Sequence, residues 1–250
     1  LPDTPTLMEA IARCIHTDAR PLARKRVVVT SGPTWEAIDP VRYIGNRSSG
    51  KQGHAIARAL IEAGADVTLI TGPVDLTPPQ GLAELIRVES AQQMYDAVLG
   101  ALPADVFIGA AAVADWALPT PLTEKHKKNT DNSLADALQA LETTPDILAT
   151  MSQHANRPTL VIGFAAETTN ALQNGQEKLL RKGCDWLLVN DVSGGRVFAE
   201  DVTSLHLLTR GNAPPESWNN VSKHIAARNL TQHITHFYQR PKPLNKGATA

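Results

Sequence analysis

Short β-branched runs alternate along this chain with stretches of helical periodicity, and that alternation leaves few folds open to it. Arg26 to Ser31 reads RVVVTS, Ser49 to Gly64 carries apolar residues at helical spacing and closes on glycine, and Asp66 to Thr71 (DVTLIT) is apolar again. A strand buried on both faces shows as an unbroken apolar run, and a parallel neighbour needs a long crossover between the two. The segment therefore reads as one βαβ unit. The same rhythm continues with a helix over Ser90 to Leu102, a strand over Asp105 to Ala114 and a helix over Pro145 to Gln153. A strand over Thr159 to Ala165, a helix over Thr169 to Gly183 and a strand over Trp186 to Asn190 follow. The class implied is α/β, a doubly wound and mostly parallel sheet with helices on both faces, Rossmann-like in outline. Leu205 to Thr209 is expected to add an antiparallel edge strand, and Val221 to Phe237 a closing helix.

These elements place the folded domain at residues 26–238. Residues 1–25 read as a linker or the end of a preceding domain, and 239–250, rich in Pro, Lys and Gly, as a disordered tail. The chain starts at Leu1, with a short amphipathic stretch before Ala-Arg-Pro, and so reads as a piece of a longer polypeptide.

Charge and cysteine usage narrow the function classes. The 24 Lys and Arg nearly balance the 25 Asp and Glu, so no whole-protein field would hold the chain on nucleic acid or an anionic membrane. Any basic site must be local. No apolar run approaches the ~20 residues that a membrane helix needs. Cys14 and Cys184 form neither a CxxC pair nor a metal spacing, which suits a reducing cytoplasm, and Cys184 reads as a small core residue. His54, His126, His233 and His236 make no metal or triad pattern; the last two read as surface residues of a helix.

Two long irregular segments interrupt the alternation, Gly32 to Arg47 and the polar, Lys-rich Trp116 to Asn132. Loops of such length in a compact α/β domain are usually binding loops or lids. The first belongs to the richest stretch of the chain, Thr30 to Gly53, TSGPTWEAIDPVRYIGNRSSGKQG. Ser48, Ser49, Gly50 and Gly53 lead into the first helix, where free backbone N–H groups and the helix dipole favour a phosphate. The same residues also serve as a helix cap and as a close helix-sheet contact.

Two familiar phosphate motifs fail here. Gly45 to Gln52 nearly spells GxxxxGK followed by Ser or Thr, but Gln52 has no hydroxyl to offer magnesium. A dinucleotide fingerprint needs GxGxxG after the first strand and an acidic residue ending the second. The chain has Gly32 alone in the first place and Thr71-Gly72 in the second.

Further along, Gly109, Ala110, Ala111 and Ala112 strip a strand end of bulk ahead of Asp115. That composition suits either a ligand approaching the main chain or tight packing against a helix. Glu124 to Lys128 (EKHKK) reads first as a solvated charge run. Lys178 and Lys182, four apart on one helix, share a face that either clamps phosphates or meets solvent.

Taken in order, six segments resemble the bacterial phosphopantothenoylcysteine synthetase family. They are TSGPTWEAIDPVRYIGNRSSGKQG, VTLITGPV, GAAAVADW, EKHKK, TPDIL with GFAAET, and KLLRKGCDWLLVNDVSGG. The family's bacterial form is often fused behind a flavin-dependent decarboxylase, which fits a chain whose start is missing.

The resemblance implies ligation of 4'-phosphopantothenate to L-cysteine. The carboxylate attacks the α-phosphorus of CTP and releases pyrophosphate, and the cysteine amine then attacks the acyl-cytidylate. It implies Asn46 and Lys125 as the catalytic pair, Asn46 orienting the acyl group and Lys125 stabilising charge on the triphosphate. Arg42, Asn46, Ala111, Ala112 and Asp115 would meet the acyl substrate, with Arg42 suited to an anionic group. The nucleotide would meet Gly32, Ser48, Gly50, Gly53, Gly109, Ala110, Ala111, Asp115, Lys125, Thr144, Pro145, Asp146, Ile147, Phe164, Lys178, Lys182 and Asn190, with Phe164 covering base or sugar. A divalent cation, magnesium in the family, would bridge the phosphates, with Asp115 and Asp146 as candidate helpers. A homodimer with a site at the subunit interface is implied as well.

The chain departs from the family pattern at several positions. Gly45 stands for Ser, Gln52 for Met, Trp116 for Tyr, Thr144 for Asn and His126 for Ile, and Val202 to Ser204 replace a more polar segment. Two other readings compete on the residues alone. One is a nicotinamide-dependent oxidoreductase, which the missing fingerprint opposes; the other is a nucleotide-sensing module without chemistry.

Overall fold

The computed structural model describes residues 20–125, 138–192, 201–211 and 213–239. Its centre is an eight-stranded sheet. The strands are β1 (Arg26–Ser31), β4 (Asp66–Thr71), β5 (Glu84–Arg87), β6 (Val106–Gly109), β9 (Leu160–Glu167), β10 (Trp186–Asp191), β11 (Val202–Thr209) and β12 (Glu216–Ser222). Two short antiparallel ribbons stand apart, β2 (Trp35–Ala37) with β3 (Tyr43–Gly45), and β7 (Trp116–Ala117) with β8 (Glu142–Thr143). The helices used below are α1 (Lys51–Glu62), α2 (Ala91–Gly100), α3 (Ile147–Gln153), α4 (Ala171–Lys182) and α5 (Lys223–Gln239).

Across the sheet the order is β12-β11-β10-β9-β6-β1-β4-β5. All neighbours from β10 to β5 are parallel, and β11 and β12 add an antiparallel end. The class read from the sequence is therefore the observed one. Two helical layers cover the sheet, and β1 shows how the sequence produces both. Val27 and Val29 pack on one face with α1 and α5, whereas Val28 packs on the other with α2, α3 and α4. Successive residues of a strand point to opposite faces, so an all-apolar strand feeds two cores.

The sheet also fixes where a ligand can enter. From β1 the chain moves outward through β4 to β5 and then returns across β1 to β6 on its other side. The strand order reverses between β1 and β6, and a crevice opens outside their carboxyl ends, at the paired residues Thr30 and Gly109.

Local chemistry explains several boundaries. α2 begins on a capping box, with Ser90 Oγ accepting from the Gln93 backbone N–H and the Gln93 side chain returning to the Ser90 N–H. α4 ends on Gly183, whose φ of 69° suits glycine. The core begins at Leu22, which is fully buried within the stretch read as linker. Cys184 is fully buried, as expected. Residues 1–19 and 240–250, including the tail expected to be disordered, lie outside the described residues.

Two expectations are corrected, and β5 is a strand that no reading of the sequence placed. Val202–Thr209 is antiparallel but second from the edge, because the mostly polar β12 pairs outside it with only Trp218 buried along its length. Strand β5, an edge strand of four residues, carries no periodic signal that a sequence reading can use. His233 is no plain surface residue, since its ring stacks on Trp218 at 5.8 Å and its Nε2 lies 3.1 Å from a Glu216 carboxylate oxygen. Among the described residues, no helix is long and apolar enough to cross a membrane.

Candidate functional site

A cleft of about 630 Å³ occupies the crevice at the strand-order reversal. Its floor is the end of β6 and the small residues that follow, Gly109 to Ala114. Hydrogen bonds tie that segment to the loop after β1. Ala111 N–H donates to Thr30 Oγ1 at 3.3 Å, Ala112 N–H to Gly32 O at 2.9 Å, and Ala114 N–H to Thr34 Oγ1 at 2.9 Å. The lack of bulk thus serves a chain-to-chain stitch on one side and an open floor on the other.

Asn46, in the loop after β3, joins the same stitch. Its Nδ2 donates to Ala112 O at 3.3 Å and to Val113 O at 2.9 Å. An exposed amide anchored twice to the main chain is held in one orientation, which is what a positioning group requires. Thr144 anchors the opposite wall, its hydroxyl donating to Ala114 O at 2.5 Å and its N–H to Asp115 O at 3.1 Å. The Thr found where the family has Asn therefore has a defined structural role.

One rim is the start of α1. Gly50, at φ 72°, precedes the helix as its N-cap and supplies no side-chain cap to it. Gly53 lets this turn lie against β1, because a Cβ there would sit 2.5 Å from Ser31 Oγ and 2.6 Å from Ser31 Cβ. Ser31 Oγ donates to Gly50 O at 2.9 Å, and His54 Nδ1 lies 3.0 Å from Ser31 Oγ and 3.1 Å from Gly50 O. Burial, with Arg58 adding to it, lowers the His54 pKa against the opposing bond to Gly50.

The other rim carries charge. Lys178, Lys182 and Asp146 line the cleft, and Lys182 Nζ donates to Asp146 Oδ2 at 2.5 Å. Asp146 also caps α3, its Oδ1 accepting from Ala149 N–H at 3.0 Å. Burial opposes ionisation of Asp146, but these two hydrogen bonds outweigh it and hold the carboxyl below the usual range. Burial and the nearby Lys182 and Arg181 lower the Lys178 pKa, while Glu167 and Asp115 pull it back up. Phe164 and Asn190 complete the lining, with Asn190 Oδ1 accepting from Thr203 Oγ1 at 3.2 Å. Among the described residues, no cluster of three His, Cys, Asp or Glu could hold a metal ion.

The sequence model of one family, the DNA/pantothenate metabolism flavoprotein C-terminal domain, matches residues 22–238. The chain belongs to that family. It is 42% identical over 215 residues to the coenzyme A biosynthesis bifunctional protein CoaBC of Haemophilus influenzae, covering 86% of this chain and 52% of that one. The CoaBC of Mycobacterium tuberculosis strain H37Rv is also 42% identical, over 233 residues, covering 88% of this chain and 54% of the relative. The chain thus spans about half the length of these curated relatives. Among solved structures, the C-terminal domain of a CoaBC superposes with a TM-score of 0.72 at 33% identity, covering 89% of this chain and all of that one. A mutant of Cab2 in complex with phosphopantothenate-cysteine shares the fold at 16% identity, with a TM-score of 0.67 over 95% of each chain.

Within this family member the cleft gathers most of the residues that the sequence singled out. Asn46, Ser48, Gly50, Gly53, Gly109 to Ala112, Asp115, Thr144 to Ile147, Phe164, Lys178, Lys182 and Asn190 all line it. Gly32 does not line it but backs the rim, since a Cβ on Gly50 would come within 3.5 Å of its Cα. Arg42 and Lys125 are not among the lining residues. Arg42 stands in the turn between β2 and β3, its Nε 3.5 Å from Asp39 Oδ2, and Lys125 is exposed. His126, Lys127 and Lys128 lie outside the described residues. The sequence reading missed Arg47, Lys51, Thr203 and Lys223 in the lining. Lys51 was visible in the GK pair; Thr203 and Lys223 come from β11 and α5 and carry no local signal.

Proposed function

We propose that the chain is a phosphopantothenate–cysteine ligase domain of coenzyme A biosynthesis, using CTP through an acyl-cytidylate. The observation that carries this reading is the cleft itself. The helix start at Lys51 lies 58 positions before the small-residue floor at Gly109, and α3 and β9 lie between that floor and Lys178 and Lys182, yet all of them face one cavity. The names of the relatives, coenzyme A biosynthesis bifunctional proteins, and the phosphopantothenate-cysteine complex of a protein with the same fold support the substrate class.

In this reading the triphosphate lies between the N-terminus of α1 and the Lys178–Lys182 face, where aligned N–H groups and ammonium groups meet developing negative charge. Burial lowers the Lys178 pKa, and the charges of Glu167 and Asp115 oppose that shift. The pantothenate carboxylate attacks the α-phosphorus, and the bond to pyrophosphate breaks. The cysteine amine then attacks the acyl carbon, expelling CMP and losing a proton. Asn46 orients the acyl group. Magnesium, carried with the nucleotide, would supply charge neutralisation across the phosphates, and Asp115 and Asp146 are the carboxylates of the lining that would help hold it.

Two features support a homodimer. Trp35 stacks on Tyr43 at 4.4 Å, and both, with Val41 and Trp116, remain exposed on the ribbons beside the cleft. Lys125 and Arg42, assigned to the reaction by the family pattern, stand outside the cavity of a single chain. A second copy docked on the ribbons would bring such residues to a neighbouring cleft. The full protein would add a flavin-dependent decarboxylase and act in the cytoplasm. The test is to incubate the chain with CTP, magnesium and 4'-phosphopantothenate, with and without cysteine, and identify the products by mass. Phosphopantothenoylcysteine, CMP and pyrophosphate are expected; pyrophosphate release independent of phosphopantothenate would overturn the reading.

A further inference from the structure

The side-chain amide of Gln52 is buried without a partner. Neither its Oε1 nor its Nε2 makes a hydrogen bond among the described residues, and both are shut off from solvent. A buried amide in that state has lost its hydration and gained nothing in return. Gln52 nonetheless lines the cleft, at the second position of α1 and in the same turn as Gly50, Lys51 and Gly53, which line it too. Gly50 supplies no side-chain cap to that turn, and the positive end of the α1 dipole lies at the same rim of the cleft as Gln52. Two independent observations thus meet at one place, an uncapped helix start and an amide with unused hydrogen-bonding capacity.

We infer that Gln52 is a positioning residue for a phosphate group of the ligand. On binding, its amide turns into the cleft and Nε2–H donates to a phosphate oxygen held at the N-terminus of α1. The inference rests on the ligase reading above and deepens it. An unpaired amide in the empty cleft and a paired one in the filled cleft make Gln52 unfavourable to the free protein and favourable to the complex, a pairing of signs that a purely structural glutamine lacks. The phosphate belongs either to the nucleotide or to phosphopantothenate, which carry the same chemistry.

The experiment compares the chain with Gln52→Leu and Gln52→Met, both apolar and of similar size, and with Gln52→Glu. Each protein is melted empty and titrated separately with CTP and magnesium and with 4'-phosphopantothenate by calorimetry. The apolar variants should melt higher than the parent when empty and bind one of the two ligands five- to tenfold more weakly; which ligand it is names the source of the phosphate. Gln52→Glu should bind that ligand more weakly still, because a carboxylate repels it. Unchanged affinity for both ligands in Leu and Met variants would overturn the inference, as would apolar variants that melt lower when empty. A parent chain that binds neither ligand would instead refute the ligase reading, and this inference with it.

Discussion

Replacing Gly53 by alanine places one methyl group where the cleft depends on close approach. The new Cβ would lie 2.5 Å from Ser31 Oγ, 2.6 Å from Ser31 Cβ and 3.1 Å from Ser31 Cα. Rotation moves an Oγ but not a Cβ, so the first turn of α1 must retreat from β1 by roughly 0.8 Å to restore ordinary contact. Ser31 Oγ to Gly50 O, now 2.9 Å, and His54 Nδ1 to Ser31 Oγ, now 3.0 Å, would then lengthen together. Overpacking of this kind costs about 1–3 kcal/mol. In a domain of this size each kcal/mol is worth about 2–4 °C in Tm, so a fall of about 2–12 °C is expected. The retreat also displaces the N–H groups proposed to hold phosphate, so CTP affinity should fall on the order of tenfold, about 1.4 kcal/mol. Differential scanning calorimetry and CTP titration measure the two effects, and Ser31→Gly supplies the control by removing both nearest atoms. The double mutant should be more stable than the two single effects summed, the sign of direct contact. An unchanged Tm and CTP affinity in Gly53→Ala, or strict additivity in the double mutant, would refute the reasoning.

Gly100→Ala, at the end of α2, meets nothing within 4 Å and should raise Tm by a few degrees, the ordinary gain of alanine over glycine in a helix; a lower Tm in calorimetry would contradict this. His54 has a folded pKa below its unfolded value of about 6.5, so its contribution is present above that pH and is lost as pH falls toward the folded value. His54→Gln should therefore flatten the pH dependence of unfolding below pH ~6.5, read by denaturant titration across that range. Lys125→Gln should slow acyl-cytidylate formation by about a hundred- to a thousand-fold. Asn46→Asp would set a carboxylate 2.9 Å from Val113 O and 3.3 Å from Ala112 O, so repulsion should release the side chain. Transfer to cysteine should then fail more than activation and the acyl-cytidylate should accumulate, as mass spectrometry of quenched reactions can establish.

The parts of this architecture that the sequence made legible are those specified by neighbouring residues. Strands β1 and β4 lie at the residues read for them, because runs such as VVV and VTLI suit only a strand covered on both faces. Helices shifted by a residue or two where caps decided the ends, as at Ser90 and Gly183. What was not legible depends on long-range pairing. β5 and β12 are edge strands whose residues are half exposed, so neither periodicity nor composition marks them.

The cleft divides in the same way. Gly50 and Gly53 were readable as helix-start residues, but the partner of the Gly53 gap, Ser31, is 22 positions away. The carboxylate of Asp146, a candidate helper for the metal by the family resemblance, is engaged by Lys182 and by the Ala149 N–H. That commitment follows from the packing of α3 beside α4, which no local pattern encodes.

The central claim, activation of a carboxylate as an acyl-cytidylate, has a direct isotopic test. 4'-Phosphopantothenate labelled with oxygen-18 in its carboxylate is turned over with CTP, magnesium and cysteine, and the released CMP is weighed. Attack of the carboxylate on the α-phosphorus leaves one of its oxygens on that phosphorus when the amine expels the nucleotide, so CMP should carry one oxygen-18 atom. Unlabelled CMP with the heavy oxygen in inorganic phosphate, or product formed with no label in any phosphorus compound, would contradict the account.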